Sequence, residues 1–124
     1  IVELSYNGVF AVERVIDLTT VIQPDGIPLD TEGIAFDPAT GRLFVLSNRD
    51  DALFEYTTMG EFIKRLELST LTPGTIAVQG ISVGSSSDGS GSTSFYVVDG
   101  MFDNDYDPTE RDGRVYDLKI NRAP

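Results

Sequence analysis

The chain has 124 residues, of which 20 are acidic and 9 basic, for a net charge of −11; 40% are hydrophobic, and there is no cysteine and no histidine. This composition is that of a folded domain rather than a disordered chain. It excludes disulfides, thiol nucleophiles, the usual zinc sites and histidine bases, and it disfavours nucleic acid and anionic membrane surfaces, whose phosphates need a basic footprint. Any metal must be held by oxygen, which selects a hard cation such as calcium or magnesium.

No apolar run approaches the roughly 20 residues of a membrane helix, so no membrane span is expected. The chain opens on Ile1 in mid-pattern, which reads as processing or truncation. Internal repetition organises the chain. Ile1-Val2-Glu3-Leu4-Ser5-Tyr6-Asn7-Gly8 parallels Leu53-Phe54-Glu55-Tyr56-Thr57-Thr58-Met59-Gly60: an alternating strand, then a turn closed by glycine. The stretches 10–18 and 62–68 continue the parallel as strands ending in an acid and a leucine.

A second set of correspondences runs from the middle to the end. Glu32-Gly33-Ile34-Ala35-Phe36 matches Gln79-Gly80-Ile81-Ser82-Val83, Leu43–Ser47 matches Phe95–Asp99, and Leu53–Tyr56 matches Val115–Leu118. The interval is about 50 residues, the length of one propeller blade. The unit has four strands, here a, b, c and d, predicted over 33–37, 42–47, 52–57 and 61–68. Asp37-Pro38-Ala39-Thr40-Gly41 supplies the turn between a and b.

The expected fold is therefore all-β, a β-propeller fragment of about two four-stranded antiparallel blades. Residues 1–18 form strands c and d of a preceding blade. Residues 31–68 form a complete blade, and 78–120 a last blade with strands a to c. Strands a and b read as buried between blades, and c and d as half-exposed. The Ser/Gly-rich stretch 84–94 reads as a flexible insertion in the last a–b turn. Segments 19–30 and 69–77, with Pro24, Pro28 and Pro73, connect blades.

The last blade lacks a strand d, and an open edge is a liability. Two sources are expected: the remainder of a longer parent chain, or residues 10–18 of another copy, three of which would close a six-bladed ring. The partners expected are thus other propeller blades.

The densest chemical signal is Asp99–Asp112, with carboxylates at Asp99, Asp103, Asp105, Asp107, Glu110 and Asp112. Alternating acids let one loop wrap a cation, as EF-hand loops do. Here Pro108 stands at the loop-glycine position and Arg114 at that of the bidentate glutamate, so the expectation is a calcium loop of another kind. The bland alternative is a solvated acidic loop. Glu32, at the start of strand a, is the remaining metal candidate, with an inter-blade hydrogen-bond acceptor as its alternative. Arg42 and Arg49 read as surface ion-pair partners, and Tyr56, Tyr96 and Tyr116 as packing residues.

The run Glu32-Gly33-Ile34-Ala35-Phe36-Asp37-Pro38-Ala39-Thr40-Gly41-Arg42-Leu43-Phe44-Val45 resembles the blade signature of bacterial six-bladed propellers related to the NHL repeat, the SdiA-regulated proteins and the esterase-like phytase domain. Tyr96–Gly100, Asp103-Asn104-Asp105, Asp107-Pro108 and Asp112–Tyr116 are similar to the last blade of extracellular bacterial propellers found beside hemolysin-type calcium-binding repeats. The resemblance implies a secreted, calcium-stabilised binding or scaffold module. Glu32 resembles the inner-strand glutamate of gluconolactonase-type propellers, which implies the alternative, a metal-dependent phosphoesterase or lactonase completed by further blades. No pair of acids stands out as catalytic.

Overall fold

The structure, a computed structural model, describes residues 1–18, 30–69, 77–103 and 105–119. The prolines of the two connecting segments lie outside these. The described residues form nine strands and no helix: β1 Val2–Tyr6, β2 Phe10–Val15, β3 Gly33–Asp37, β4 Arg42–Ser47, β5 Ala52–Thr57, β6 Phe62–Glu67, β7 Val78–Ser85, β8 Thr93–Asp99 and β9 Arg114–Lys119. All pairings are antiparallel. They build a two-stranded sheet β1-β2, a four-stranded sheet β3-β4-β5-β6 and a three-stranded sheet β7-β8-β9. The all-β expectation holds.

The repeat is visible in the pairing as well as in the sequence. Glu3 lies opposite Arg14 in β1-β2, and Glu55 lies opposite Lys64 in β5-β6. Both pairs are ion pairs, and in both hairpins a bulge follows the glutamate. Gly8 and Gly60 close the two turns with positive φ.

The four-stranded sheet carries the core on both faces. Side chains alternate faces along a strand, so a strand covered on both sides must be apolar throughout. On one face Phe44, Leu46, Leu53 and Leu68 pack against Val78, Phe95 and Val97 of the β7-β8-β9 sheet. Phe44 meets Phe95 edge-on at 4.5 Å between ring centroids. On the other face Leu43, Val45, Ala52, Phe54 and Tyr56 are covered by Ile16, with Ile1 and Leu18 beside it.

The buried strands are thus β4 and β5, a correction to the expected pattern. In the four-stranded sheet strand c, β5, is largely interior rather than half-exposed, whereas the corresponding strands β1 and β9 are mostly exposed and β3 alternates: Ala35 is buried, while Ile34 and Phe36 are exposed. The reason lies in the neighbouring sheet. Among the described residues, the β1-β2 pair has no strands at the position that would cover the Ile34–Phe36 face of β3.

Tyr56 is fully buried, and its hydroxyl has no hydrogen-bond partner among the described residues. Burial pushes its pKa up. An unpaired buried hydroxyl costs more than the contact it makes. Tyr56→Phe is therefore expected to leave the fold intact and raise stability by about 1 kcal/mol; a loss of stability in urea denaturation would contradict the placement.

The Ser/Gly-rich stretch also differs from the flexible insertion expected. Residues 84–85 and 93–94 continue the two strands, and only 86–92 form the turn. Ser86 N donates to Ser92 O at 2.8 Å. Asp117 accepts from Ser87 N at 3.0 Å and from its hydroxyl, and Asp88 pairs with Lys119. Hydrogen bonding lowers both carboxyl pKa values, led by Lys119 at Asp88 and by the Ser87 hydroxyl at Asp117. The polar side chains that kept this stretch out of a core tie it to β9 instead.

Candidate metal centre

The first residue of β3, Gly33, lies against the third and fourth residues of β7. A Cβ on Gly33 would sit 3.3 Å from the Ile81 side chain and 3.6 Å from Gly80 Cα. The starts of the two strands therefore lie together. Antiparallel pairing brings the end of β4 to the start of β3 and the end of β8 to the start of β7. The β4–β5 loop and the β8–β9 loop consequently open toward the same end of the sheets.

The β4–β5 loop spends its charges on itself. Ser47 Oγ donates to Asp50 Oδ2 at 2.6 Å, and Arg49 pairs with Asp50 at 3.4 Å. Leu68 N donates to Asp51 O at 2.9 Å, which ties the loop to the end of β6. Arg42 pairs with Glu55 at 3.8 Å. Both arginines thus occupy surface ion pairs.

The β8–β9 loop is longer and has a closed neck. Asp99 ends β8 fully buried, and its Oδ1 accepts from Ala77 N at 3.3 Å and Met101 N at 3.1 Å. Gly113, at φ 71°, donates to Phe102 O at 2.9 Å. The Arg114 guanidinium lies 3.4 Å from the centre of the Phe102 ring, a cation–π contact.

Above the neck, aspartates shape the backbone. Asp103 Oδ1 accepts from Asp105 N at 3.2 Å and Tyr106 N at 2.7 Å. Asp105 Oδ1 accepts from Asp107 N at 2.9 Å. Asp107 Oδ1 accepts from Thr109 N at 2.9 Å and Thr109 Oγ1 at 2.6 Å. These bonds, the Thr109 hydroxyl foremost, hold the Asp107 carboxyl below the usual range. Tyr106 takes a positive φ of 66°, so the tight turn falls on a tyrosine, one of the few residues outside glycine to adopt that conformation here.

Three carboxylates converge. Asp103, Asp105 and Asp112 each offer an oxygen within 4.8 Å of the other two. Asp103 is half-buried and the others are exposed. Arg111 approaches the Asp103 carboxylate at 3.7 Å. Of the seven metal candidates in the sequence, this group holds three. Asp99 is set into the neck, Asp107 turns to Thr109, and Glu110 lies outside the group. Asn104 lies outside the described residues.

Glu32 sits at the other candidate position, the start of β3, where its N–H donates to Leu46 O at 2.9 Å. It lines a cavity of about 410 Å³ with Ile1, Val2, Leu18, Thr31, Gly33, Ile34 and Val45. Among the described residues Glu32 is the one acid in that lining, and the rest is mainly apolar.

The donor set suits a hard cation. Carboxylate oxygens of this kind are the donors that hard cations such as calcium and magnesium take. Three carboxylates, one of whose oxygens is already shared with two backbone N–H groups, leave the rest of the shell to carbonyls and water. Sequence reasoning marked the loop by its density of acids. It did not separate Asp99, whose place at the end of an apolar strand was the available signal for an anchor. No protein-family model matches the chain, and comparison with curated proteins and with solved structures yields no match.

Proposed function

We propose that the protein is a calcium-stabilised binding or scaffold module of β-propeller type, working outside the cell. The observation that carries this reading is the convergence of Asp103, Asp105 and Asp112 in one neck-closed loop. The propeller reading draws on the repeated a-b-c-d order and on the close approach of β3 and β7 at Gly33 and Gly80. The NHL-type lineage is part of the same proposal and rests on the resemblance of the blade sequence.

The extracellular placement is part of the same proposal and draws on the weak affinity such a loop would have. A site with three acids and a largely solvated shell belongs with the weak calcium sites, with Kd about 10⁻⁴–10⁻³ M. Such a site fills where free calcium is millimolar, as outside cells.

The hydrolase alternative would draw on Glu32. Among the described residues, Glu32 lies in a mainly apolar lining with no second acid, and the acids that converge are in the loop. The scaffold reading is therefore preferred. The test is a thermal melt in calcium against a melt in chelator. Metal that binds only the folded state adds about 2.7 kcal/mol at a hundredfold excess over Kd. The melting midpoint is expected to rise with calcium and to return with chelator, and Asp105→Asn should blunt the rise. An unchanged midpoint at 50 mM calcium, roughly a hundredfold above the middle of that affinity range, would overturn the proposal.

A further inference from the structure

Asparagine is among the thermolabile residues, because its side-chain amide is open to attack by the backbone nitrogen of the residue that follows. Glycine in that place leaves the nitrogen unshielded, since it carries no Cβ. The chain holds this dyad once, at Asn7-Gly8, and its slower aspartate counterpart at Asp25-Gly26, Asp88-Gly89, Asp99-Gly100 and Asp112-Gly113. Asp25-Gly26 lies outside the described residues.

The fold ties down the other three aspartate dyads. Gly113 N donates to Phe102 O at 2.9 Å, and Gly89 N to Ser86 O at 3.4 Å. The Asp88 carboxylate is held by Ser90 N at 2.9 Å and by Lys119. Asp99 is fully buried, and its carboxylate is engaged by Ala77 N and Met101 N. Asn7-Gly8 differs at each point. The bond within its turn runs from Asn7 N to Val9 O at 3.2 Å and leaves Gly8 out. Among the described residues, neither the Gly8 N–H nor the Asn7 side chain makes a hydrogen bond. Both residues are exposed, and a Cβ on Gly8 would meet nothing within 4 Å.

The matching β5–β6 turn separates the position from its surroundings. Met59 stands where Asn7 does and is 73% exposed, although Asp17 of the strap packs on Gly60 beside it. Exposure therefore belongs to this place in the turn, whatever lies against the neighbouring glycine. Gly60 N, by contrast, donates to Thr57 O at 3.0 Å.

We propose that Asn7 is a site of spontaneous deamidation, at which the chain ages into aspartate and isoaspartate forms. The Gly8 nitrogen gives up its proton and bonds to the carbonyl carbon of the Asn7 side chain. The bond from that carbon to the amide nitrogen breaks, and ammonia leaves with the proton. The product is a five-membered succinimide. Water opens it at one of its two carbonyls, which restores the main chain as aspartate or routes it through Cβ as isoaspartate. One water is consumed and one ammonia released, with no oxidant and no metal. Either product adds a negative charge. Isoaspartate also adds a carbon to a loop of three residues closed by Tyr6 and Phe10. Loop length fixes hairpin register, so this form strains the β1-β2 pairing.

The test incubates the intact chain in mildly alkaline buffer, which favours loss of the proton from the attacking nitrogen, and maps tryptic peptides by mass. Peptide 1–14 has Asn7 as its one asparagine, and peptide 43–49 has Asn48, which is half-buried and followed by arginine. Peptide 1–14 should gain the mass of an amide turned acid, take up one heavy oxygen from labelled water, and accept methyl groups from a protein isoaspartate methyltransferase. Peptide 43–49 should stay unchanged over the same time. Asn7→Gln must close a larger ring and should lose all three signals. The native turn leaves the nucleophile free, so the rate at Asn7 in the folded chain should lie within a few-fold of the rate in urea. A folded rate far below the unfolded one, reaction of Asn48 ahead of Asn7, or methyl acceptance at the aspartate dyads instead of peptide 1–14 would each overturn the proposal.

Discussion

Phe95→Ala is expected to cost about 3–5 kcal/mol, the usual loss for deleting a buried aromatic ring. Phe95 is 5% exposed and stands at the centre of the contact between the four-stranded and three-stranded sheets. Its ring meets Phe44 edge-on, and Leu46, Leu53, Leu68, Val78 and Val97 complete the cluster. The outer face of the three-stranded sheet, with Val98 and Val115, is exposed, so the sheet packs through this inner cluster. Total stability for a domain of this size is about 5–15 kcal/mol, so the loss is a large share of it. Urea denaturation measures the effect. Val115→Ala, at an exposed position of β9, serves as the control and should change stability by less than about 0.5 kcal/mol. Equal effects at the two positions would show that the sheets do not pack through Phe95.

Gly60→Ala should be nearly as severe. Gly60 closes the β5–β6 turn at φ 85°, a left-handed conformation that penalises any Cβ. The added carbon would also sit 2.2 Å from the Asp17 carbonyl oxygen and 3.1 Å from the Ile16 side chain. Backbone strain of this kind costs about 1–3 kcal/mol, and overpacking costs a further 1–3 kcal/mol or so. The strap 16–18 must move, and with it Ile16, the buried cap over Val45, Phe54 and Tyr56. Gly8→Ala is the matched comparison, for Gly8 has a similar φ of 78° with nothing within 4 Å of the added carbon. Gly8→Ala should incur the strain alone. Urea denaturation of the two variants separates the terms, and equal losses would place the strap elsewhere.

The strand plan was legible in the sequence because each strand is short, bounded by glycine or proline turns, and repeated. The interval of about 50 residues assigned every strand its place in a four-stranded unit, and the observed sheets follow that order. Burial was less legible. The apolar run of β4 announces a strand covered on both faces, but Glu55 within β5 disguised an equally interior strand. Its carboxylate emerges at the sheet end, between Arg42 and Lys64. The exposed alternation of β3 depends on which strands the neighbouring sheet contains, information that the sequence of β3 does not hold.

The site was legible as a loop and not as a ligand set. Six acids between Asp99 and Asp112 signalled the segment. Their division into a neck anchor, turn-formers and a convergent trio is set by backbone hydrogen bonds at Asp99, Asp103 and Asp107, which spacing alone does not encode. Gly33 and Gly80 show the same limit. The repeat paired them in sequence, and the physical reason for both, the close approach of β3 to β7, is visible only in the fold.

The proposed function turns on one loop holding one hard cation. Terbium is an oxygen-seeking substitute for calcium, and its emission is sensitised by a nearby tyrosine. Tyr106 stands within the loop, 91% exposed. The decisive experiment is titration of the intact chain with terbium, excited through tyrosine. A single-ion loop predicts emission that saturates at one ion per chain, is displaced by calcium, and is lost in Asp103→Asn and Asp105→Asn but kept in Glu32→Gln. Emission that survives both loop substitutions, or that disappears with Glu32→Gln, would contradict it.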